Sequence, residues 1–483
     1  MRDFKIKKIF LLTGTLVTVY ILYALIAGVF IFAFHDHENS SYMESLDPTR
    51  FYGEKISQDR VVLVEDRFES GIARINVIEN AQESLDLSYH TVHAGTSSDI
   101  LFASLVDAAD RGVHVRILLD GLFHNLRGDL KDVMYSYSYH PNIELKFYEP
   151  LDVLRPWTWN NRLHDKMILV DNELAMIGGR NIADKYFGPD GYNGASNDRD
   201  VLLINTDLGN FEDSAIYAMK NYFDDVWNHE FSYYAVSELT ENQERRGRNR
   251  TEELRVLLES MHESHSDLFH QEINWLEKSV PTNNVTFIHN PIERLNKEPW
   301  VWYEITSLMG IAEQSIFIQS PYIIPTDKML QHVNQDEISV KEVSFLTNSL
   351  AATPNVLAYS GYRMHRETIA SSEANVYEFQ GPTESLHGKT FIFDNRISVV
   401  GSFNVDARSA YLSTEVMVVI DSEEFADQLN REIDHYIHEG SLQVSPDGSY
   451  HPHPSVAEEE ASVVKRSVTV MLSWITRFLD YML

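Results

Sequence analysis

Leu163–Asn181 reads LHDKMILVDNELAMIGGRN, and Leu386–Asn404 reads LHGKTFIFDNRISVVGSFN. Both follow one template: His-x-Lys, four residues, Asp, six residues, then Gly-(Gly/Ser)-x-Asn. Residues two apart on a strand share a face, so His164 with Lys166, and His387 with Lys389, project together. The apolar run after each Lys predicts a buried strand. A turn at Asp171-Asn172 or Asp394-Asn395 leads into a second apolar run, Ala175–Ile177 or Ile397–Val400. The glycines allow close backbone approach, and Asn181 or Asn404 supplies an amide nearby. A neutral imidazole is a nucleophile, and a Lys ammonium stabilises charge on phosphate oxygens. Two such sets facing each other provide one His to attack phosphorus and another to protonate the leaving alcohol. One His-x-Lys alone carries little meaning; two copies of a six-position template at identical spacing define a duplicated chemical site.

The flanking sequence repeats as well. In the first half, the pattern predicts a helix over 67–84, strands over 85–91 and 113–119, a helix over 100–111, and a further strand over 143–148. After the motif come an apolar strand over 201–204 and a closing helix over 211–227. In the second half the order recurs: helix 301–312, strand 315–319, strand 340–346, helix 361–371, strand 376–379, the motif, strand 415–420 and helix 422–437. The alternation predicts an α/β fold of two α/β/α lobes related by a pseudo-twofold axis, with the site at their seam.

Outside the repeats, Ile9–Phe34 is a 26-residue uncharged stretch, preceded by Arg2, Lys5, Lys7 and Lys8 and followed by Asp36 and Glu38. It is long enough to span a bilayer with tilt, and no small-residue cleavage site marks it as a signal peptide. Positive charge on its N-terminal side predicts a cytoplasmic N-terminus and a single-pass topology, with the body on the outer face of a cell membrane. The expected organisation is an anchor over 1–36, a stalk over 37–59, lobes over 60–236 and 281–440, a helical linker over 237–280, and a tail over 441–483. The linker reads as a solvated helix or a flap over the site. The tail reads as a loose polar tether followed by an amphipathic helix, placed either on the membrane surface or against the protein body.

The chain has 483 residues, 43% of them hydrophobic, which suits two ordinary domains. Its net charge of −32 is unfavourable for a nucleic-acid partner and for broad electrostatic adhesion to anionic lipid. With no Cys, disulfides, thiolate catalysis and Cys-type zinc sites are excluded. The His residues at 90, 93, 114 and 124 show no metal-ligand spacing.

The two motifs resemble the paired HKD motifs of the phospholipase D superfamily. Within it the chain, over roughly 60–440, is most similar to bacterial cardiolipin synthases, the C type especially. Further matching segments are ADRGVHVRILLD (109–120), GGRNIADKYFG (178–188), SPYIIP (320–325), FLTNSLAAT (345–353) and DARSAYLSTE (406–415). The resemblance implies His164 as the nucleophile that forms a phosphohistidine and His387 as the acid/base. It also implies that Lys166, Lys389, Asn181 and Asn404 bind the phosphoryl oxygens, with no metal and no cofactor. Orienting carboxylates are expected as well. Glu415 lies where the family places one, and aligning Arg199–Ile204 with Thr414–Val419 selects Asp200 as the partner of His164. Asp171 and Asp394 are expected to hold their turns, and Ser402 to add a hydroxyl to the phosphate site. Ser413 stands where these synthases often carry Asn. The implied activity is phosphatidyl transfer in the membrane, making cardiolipin from phosphatidylglycerol and a second phospholipid, with phosphatidylethanolamine an alternative donor and a helper protein an open question. The alternatives are a hydrolytic phospholipase D, a nuclease, or a silent membrane-bound binder.

Overall fold

The computed structural model describes residues 2–37, 40–266, 268–269, 272–334, 338 and 340–483; Glu38, placed above in the acidic flank, lies outside them. In chain order, the first lobe contains β1 (Asp59–Val64), β2 (Ser84–Tyr89), β3 (His114–Asp120), β4 (Ile143–Tyr148), β5 (Lys166–Val170), β6 (Leu174–Gly178), β7 (Ala195–Asn197), β8 (Asp200–Asn205) and β9 (Ser232–Tyr234). The linker ends in β10 (Val280–Pro281). The second lobe contains β11 (Asn284–His289), β12 (Ser315–Gln319), β13 (Glu342–Asn348), β14 (Asn375–Phe379), β15 (Glu384–Leu386), β16 (Thr390–Phe393), β17 (Ile397–Gly401), β18 (Val416–Asp421) and β19 (Ser441–Gln443).

The two large sheets run β10-β1-β8-β6-β5-β2-β3-β4-β9 and β11-β18-β17-β16-β12-β13-β14-β19. Apart from β10 they correspond strand for strand, which is the duplication legible in the motifs. The helices Ala215–Asn228 and Glu423–Gly440 close their respective lobes and lie between the sheets, in one apolar core that draws Val61, Ile177 and Val201 from the first lobe and Val400, Val418 and Ile433 from the second. The two lobes therefore share a core rather than meeting edge to edge.

Each motif folds as a hairpin whose turn is dictated by its residues. Asp171 and Asn172 take φ of 51° and 60°, and Asp394 and Asn395 take 54° and 52°. Asp and Asn tolerate this left-handed region, and two such residues in succession match the twist of a tight hairpin. The Asp171 carboxylate accepts backbone N–H bonds from Gln82, Glu83 and Ser84 at 2.6–2.8 Å. Asp394 does the same for Glu313, Gln314 and Ser315 at 2.7–3.0 Å. These aspartates pin the hairpin to the start of the neighbouring strand, at the far end of β5 and β16 from the histidines. Their contacts are with backbone N–H groups, away from the imidazoles.

The linker departs from both expectations. Helix Glu241–Ser264 opens with a Thr240/Gln243 capping box and lies against the outer helices Thr96–Asp110 and Lys131–Tyr139, burying Leu254 and Leu258. Gly247 permits the close crossing, because a Cβ there would stand 2.5 Å from the Tyr135 carbonyl oxygen. Ion pairs from Arg250 to Asp99 (2.5 Å) and Arg255 to Asp110 (2.7 Å) fix the polar edge. The helix is neither solvated on all sides nor a flap. Its Arg side chains at 246, 250 and 255 pair with acidic residues of the first lobe.

The tether is also not loose: β19 extends the second sheet beside β14, and Tyr450 bonds Glu378, which Arg366 also holds at 2.5 Å. At the other end, Ile6–Phe34 is one 29-residue helical stretch with mean hydropathy 2.5, long and apolar enough to cross a membrane. Its last third docks on the body. Gly28 sits against Pro156, Asn160 donates to the Gly28 carbonyl at 2.7 Å, and Phe32 is buried in the second lobe.

Candidate active site

Both histidines stand just before the first strand of their hairpins, and both are held by the opposite lobe. Arg162 bridges in parallel to Ser413, and β7 pairs in parallel with β15. The His164 backbone N–H donates to Thr414 Oγ1 at 3.0 Å, and the His387 N–H to the Asn197 carbonyl at 2.6 Å. Each imidazole is thereby carried to a carboxylate of the other half. His164 Nδ1 lies 2.9 and 3.0 Å from the Glu415 oxygens, and His387 Nδ1 lies 2.5 Å from Asp198 Oδ2. With Nδ1 engaged in both rings, Nε2 is the atom left for chemistry.

This crossed pairing corrects the assignment of Asp200 to His164. The register Gly178↔Asp200 and Gly401↔Met417 makes Asp200 the counterpart of Met417, so the counterpart of Glu415 is Asp198. Asp200 is instead the centre of a buried ion cluster, with Arg180 at 2.7 Å, Arg74 at 3.0 Å and Ser70 at 2.7 Å. Asp198 lies between β7 and β8, two residues before Asp200 at the start of β8, and a two-residue period alone could not separate them. Only the cross-strand register separates them, because the stretch between the glycines and the carboxylate differs in length between the two halves.

Ser402 also takes a different role from the expected one. Its hydroxyl donates to Glu415 at 2.5 Å and so orients the carboxylate. The matching residue is Gly179, and a Cβ there would meet Asp198 Oδ2 at 2.4 Å. Where one half uses a hydroxyl to set its carboxylate, the other leaves room for the carboxylate itself.

Lys166 and Lys389 are fully buried, and each donates to the carbonyl of its own motif's histidine. Burial depresses both ammonium groups, to about 7 for Lys166 and about 8 for Lys389, against the opposing pull of Glu415 and Asp198. Burial and the neighbouring lysines hold His164 well below the usual imidazole range, and His387 at about 4, so both rings are neutral at pH 7. Burial pushes Glu415 up to about 8. Asp198 is held low despite burial by Lys389 and the His387 hydrogen bond. Asn181 and Asn404 occupy matching buried positions, and among the described residues the amide oxygen of each has no hydrogen-bond partner. An amide flip exchanges its donor and acceptor ends, so each presents a polar edge that the protein leaves for a ligand.

The sequence reading missed several supporting residues. Asp165, inside the first motif, is buried and accepts from Thr414 (2.7 Å), Ser88 (3.0 Å) and Tyr222 (3.1 Å). Its counterpart is Gly388, so the two half-sites are chemically unequal. His90 stands edge-on to His164 with ring centroids 5.1 Å apart, and Tyr186 likewise to His387 at 5.4 Å. Among the described residues no cluster of His, Cys, Asp and Glu has the makings of a metal site.

Residues 75–227 and 305–437 match the family described as "Cardiolipin synthase, PLD-like domain". An uncharacterized protein of Helicobacter pylori is 30% identical over 413 residues, covering 78% of this chain and 79% of its own. Cardiolipin synthase C of Escherichia coli K12 is 28% identical, covering 76% and 82%. The crystal structure of phosphatidylserine synthase from Haemophilus influenzae shares the fold, with TM-score 0.60 at 14% identity, over 88% of this chain and 95% of that one. The chain belongs to the cardiolipin synthase PLD-like family and is a phospholipase D-superfamily enzyme.

Two predictions follow from the charges. Asp198→Asn should keep the fold and cut turnover on the order of 10²–10⁴-fold, whereas Asp200→Asn should lower stability by about 3–5 kcal/mol by breaking a buried ion cluster. Thermal unfolding and lipid turnover, measured on both variants, check this; equal catalytic loss in two stable proteins would contradict it. The lysines carry charge below their pKa and lose it above. The kcat/KM profile of the free enzyme should therefore fall as pH rises through about 7–8. The kcat limb should lie higher, because a bound anionic diester stabilises both ammonium groups. A kcat/KM flat to pH 10 would contradict the assignment.

Proposed function

We propose that this enzyme is a membrane-anchored phosphatidyltransferase that forms cardiolipin from phosphatidylglycerol and a second phospholipid. The observation that carries the reading is the pair of imidazoles, each with Nδ1 on a carboxylate of the other lobe and two buried lysines beside them. His164 Nε2 attacks the phosphodiester phosphorus, and the bond from phosphorus to the headgroup oxygen breaks. His387, neutral in the free site but drawn to its imidazolium by ionised Asp198 and the bound anionic diester, gives its Nε2 proton to that oxygen, releasing glycerol when phosphatidylglycerol is the donor. The hydroxyl of the second lipid then returns a proton to His387 and attacks the phosphohistidine, freeing His164. Lys166, Lys389, Asn181 and Asn404 hold the non-bridging oxygens through both steps. Asp198, held ionised, favours the imidazolium that a general acid requires, which supports His387 in that role. Glu415 orients His164, Ser402 sets Glu415, and Asp171 and Asp394 keep the hairpins in register.

The basic residues before the spanning helix support a cytoplasmic N-terminus with the catalytic body on the outer side. Hydrolysis of phospholipid to phosphatidic acid is the second reading; it differs only in the nucleophile that resolves the phosphohistidine. Product analysis with purified protein in phosphatidylglycerol vesicles separates them. Cardiolipin plus glycerol is expected, with the trapped phosphoryl group on the His164 peptide and turnover abolished in His164→Ala and His387→Ala. Phosphatidic acid as sole product would establish hydrolysis, and full activity in either variant would end the two-histidine mechanism.

A further inference from the structure

The C-terminal helix Val463–Thr476 is amphipathic in the inverse sense. The residues it buries against helix Val356–Ala370 are Thr469, Ser473 and Thr476. Ser473 Oγ donates to the Ser360 carbonyl at 3.2 Å, and Ser360 Oγ to Thr476 at 3.3 Å. Small residues on both sides let the helices approach closely. The apolar residues face away from the protein: Val464 is 72% exposed, Met471 60%, Trp474 70%, and Phe478 just beyond the helix 73%. These positions recur at helical spacing and form one stripe about 20 Å long. Leu357 and Met364, on the helix beneath, are also exposed and widen it. A soluble surface does not gather this much contiguous apolar area without a use for it.

Two observations identify what covers the stripe. First, the tail ends at the membrane-spanning helix: Tyr481, Met482 and Leu483 join the apolar cluster that contains Ile31 and Phe32, the last turn of that helix. Second, the loop beside the same helix is also apolar and exposed at Leu151, Val153 and Leu154. Tyr20 and Tyr23 of the helix donate to the Val153 and Leu154 carbonyls at 2.9 and 2.6 Å. Tyrosines at such a level mark a membrane–water interface. The same tail is tied to the second lobe beside its second motif, since Arg408 donates to the Met482 carbonyl at 2.6 Å.

We infer that the outer stripe of Val463–Phe478 is a bilayer-docking foot, inserted in the interface of the leaflet from which the spanning helix emerges. The insertion is apolar rather than electrostatic. The chain carries a net charge of −32, Lys465 is used on the Ala351 and Thr353 carbonyls at 2.9 and 2.7 Å, and Arg466 faces Glu460. Docking is therefore independent of anionic lipid and of salt.

The cysteine-free chain makes the test direct. Met471→Cys, Trp474→Cys and Phe478→Cys, with Glu259→Cys as a control on the exposed linker helix, are labelled with bimane in the full chain and reconstituted into phosphatidylcholine nanodiscs. Brominated lipids should quench the three tail probes at least twofold more than the control, unchanged in 0.5 M salt. Quenching no greater than at residue 259, or a probe shielded by a second copy of the chain without lipid quenching, would overturn the inference. The readout needs no turnover, so it stands or falls separately from phosphatidyl transfer.

Discussion

The exchange of carboxylates between lobes is the constraint on which this molecule depends. Glu415 of the second lobe holds His164 of the first, and Asp198 of the first holds His387 of the second. Neither half supplies the carboxylate that holds its own imidazole, so the paired arrangement exists only when the lobes are joined. The shared core between the sheets serves that purpose. The helices Ala215–Asn228 and Glu423–Gly440 each contribute to it, which fixes the relative placement of the two hairpins. A duplicated fold that merely touched along one edge would leave both imidazoles free to turn.

Placing two lysines, two carboxylates and two imidazoles in a dry interior is costly unless every charge is answered. Here the answers are interlaced: Asp198 faces His387 and Lys389, and Glu415 faces His164, Ser402 and the lysines. The depressed lysines show that the balance is tight, and an incoming anionic diester would restore their charge. The departures from symmetry, Asp165 against Gly388 and Ser402 against Gly179, give the two histidines different surroundings.

Much of this was legible in the sequence, because the duplicated template fixes spacing on a strand and spacing fixes face. The hairpins, the aspartates at their turns, the paired lysines and the seam between lobes all follow from that. The crossed carboxylates did not, because Asp198 and Asp200 stand two residues apart in one short stretch and only cross-strand register tells them apart. The linker helix misled for a related reason: Arg246, Arg250 and Arg255 look like a solvated face until Asp132, Asp99 and Asp110 of distant segments are seen beside them. Sequence reads local period well and long-range partnership poorly. The tail helix shows the same divide, since its periodicity was plain while the burial of its Thr and Ser side was not.

Histidine ¹⁵N resonances of the solubilised enzyme test the exchange most directly, because the Nδ1 shift reports the hydrogen bond made there. Asp198→Asn should move the Nδ1 resonance of His387 and leave that of His164 in place, while Glu415→Gln should do the reverse. If each substitution instead perturbs the imidazole of its own lobe, the two halves do not build one site between them.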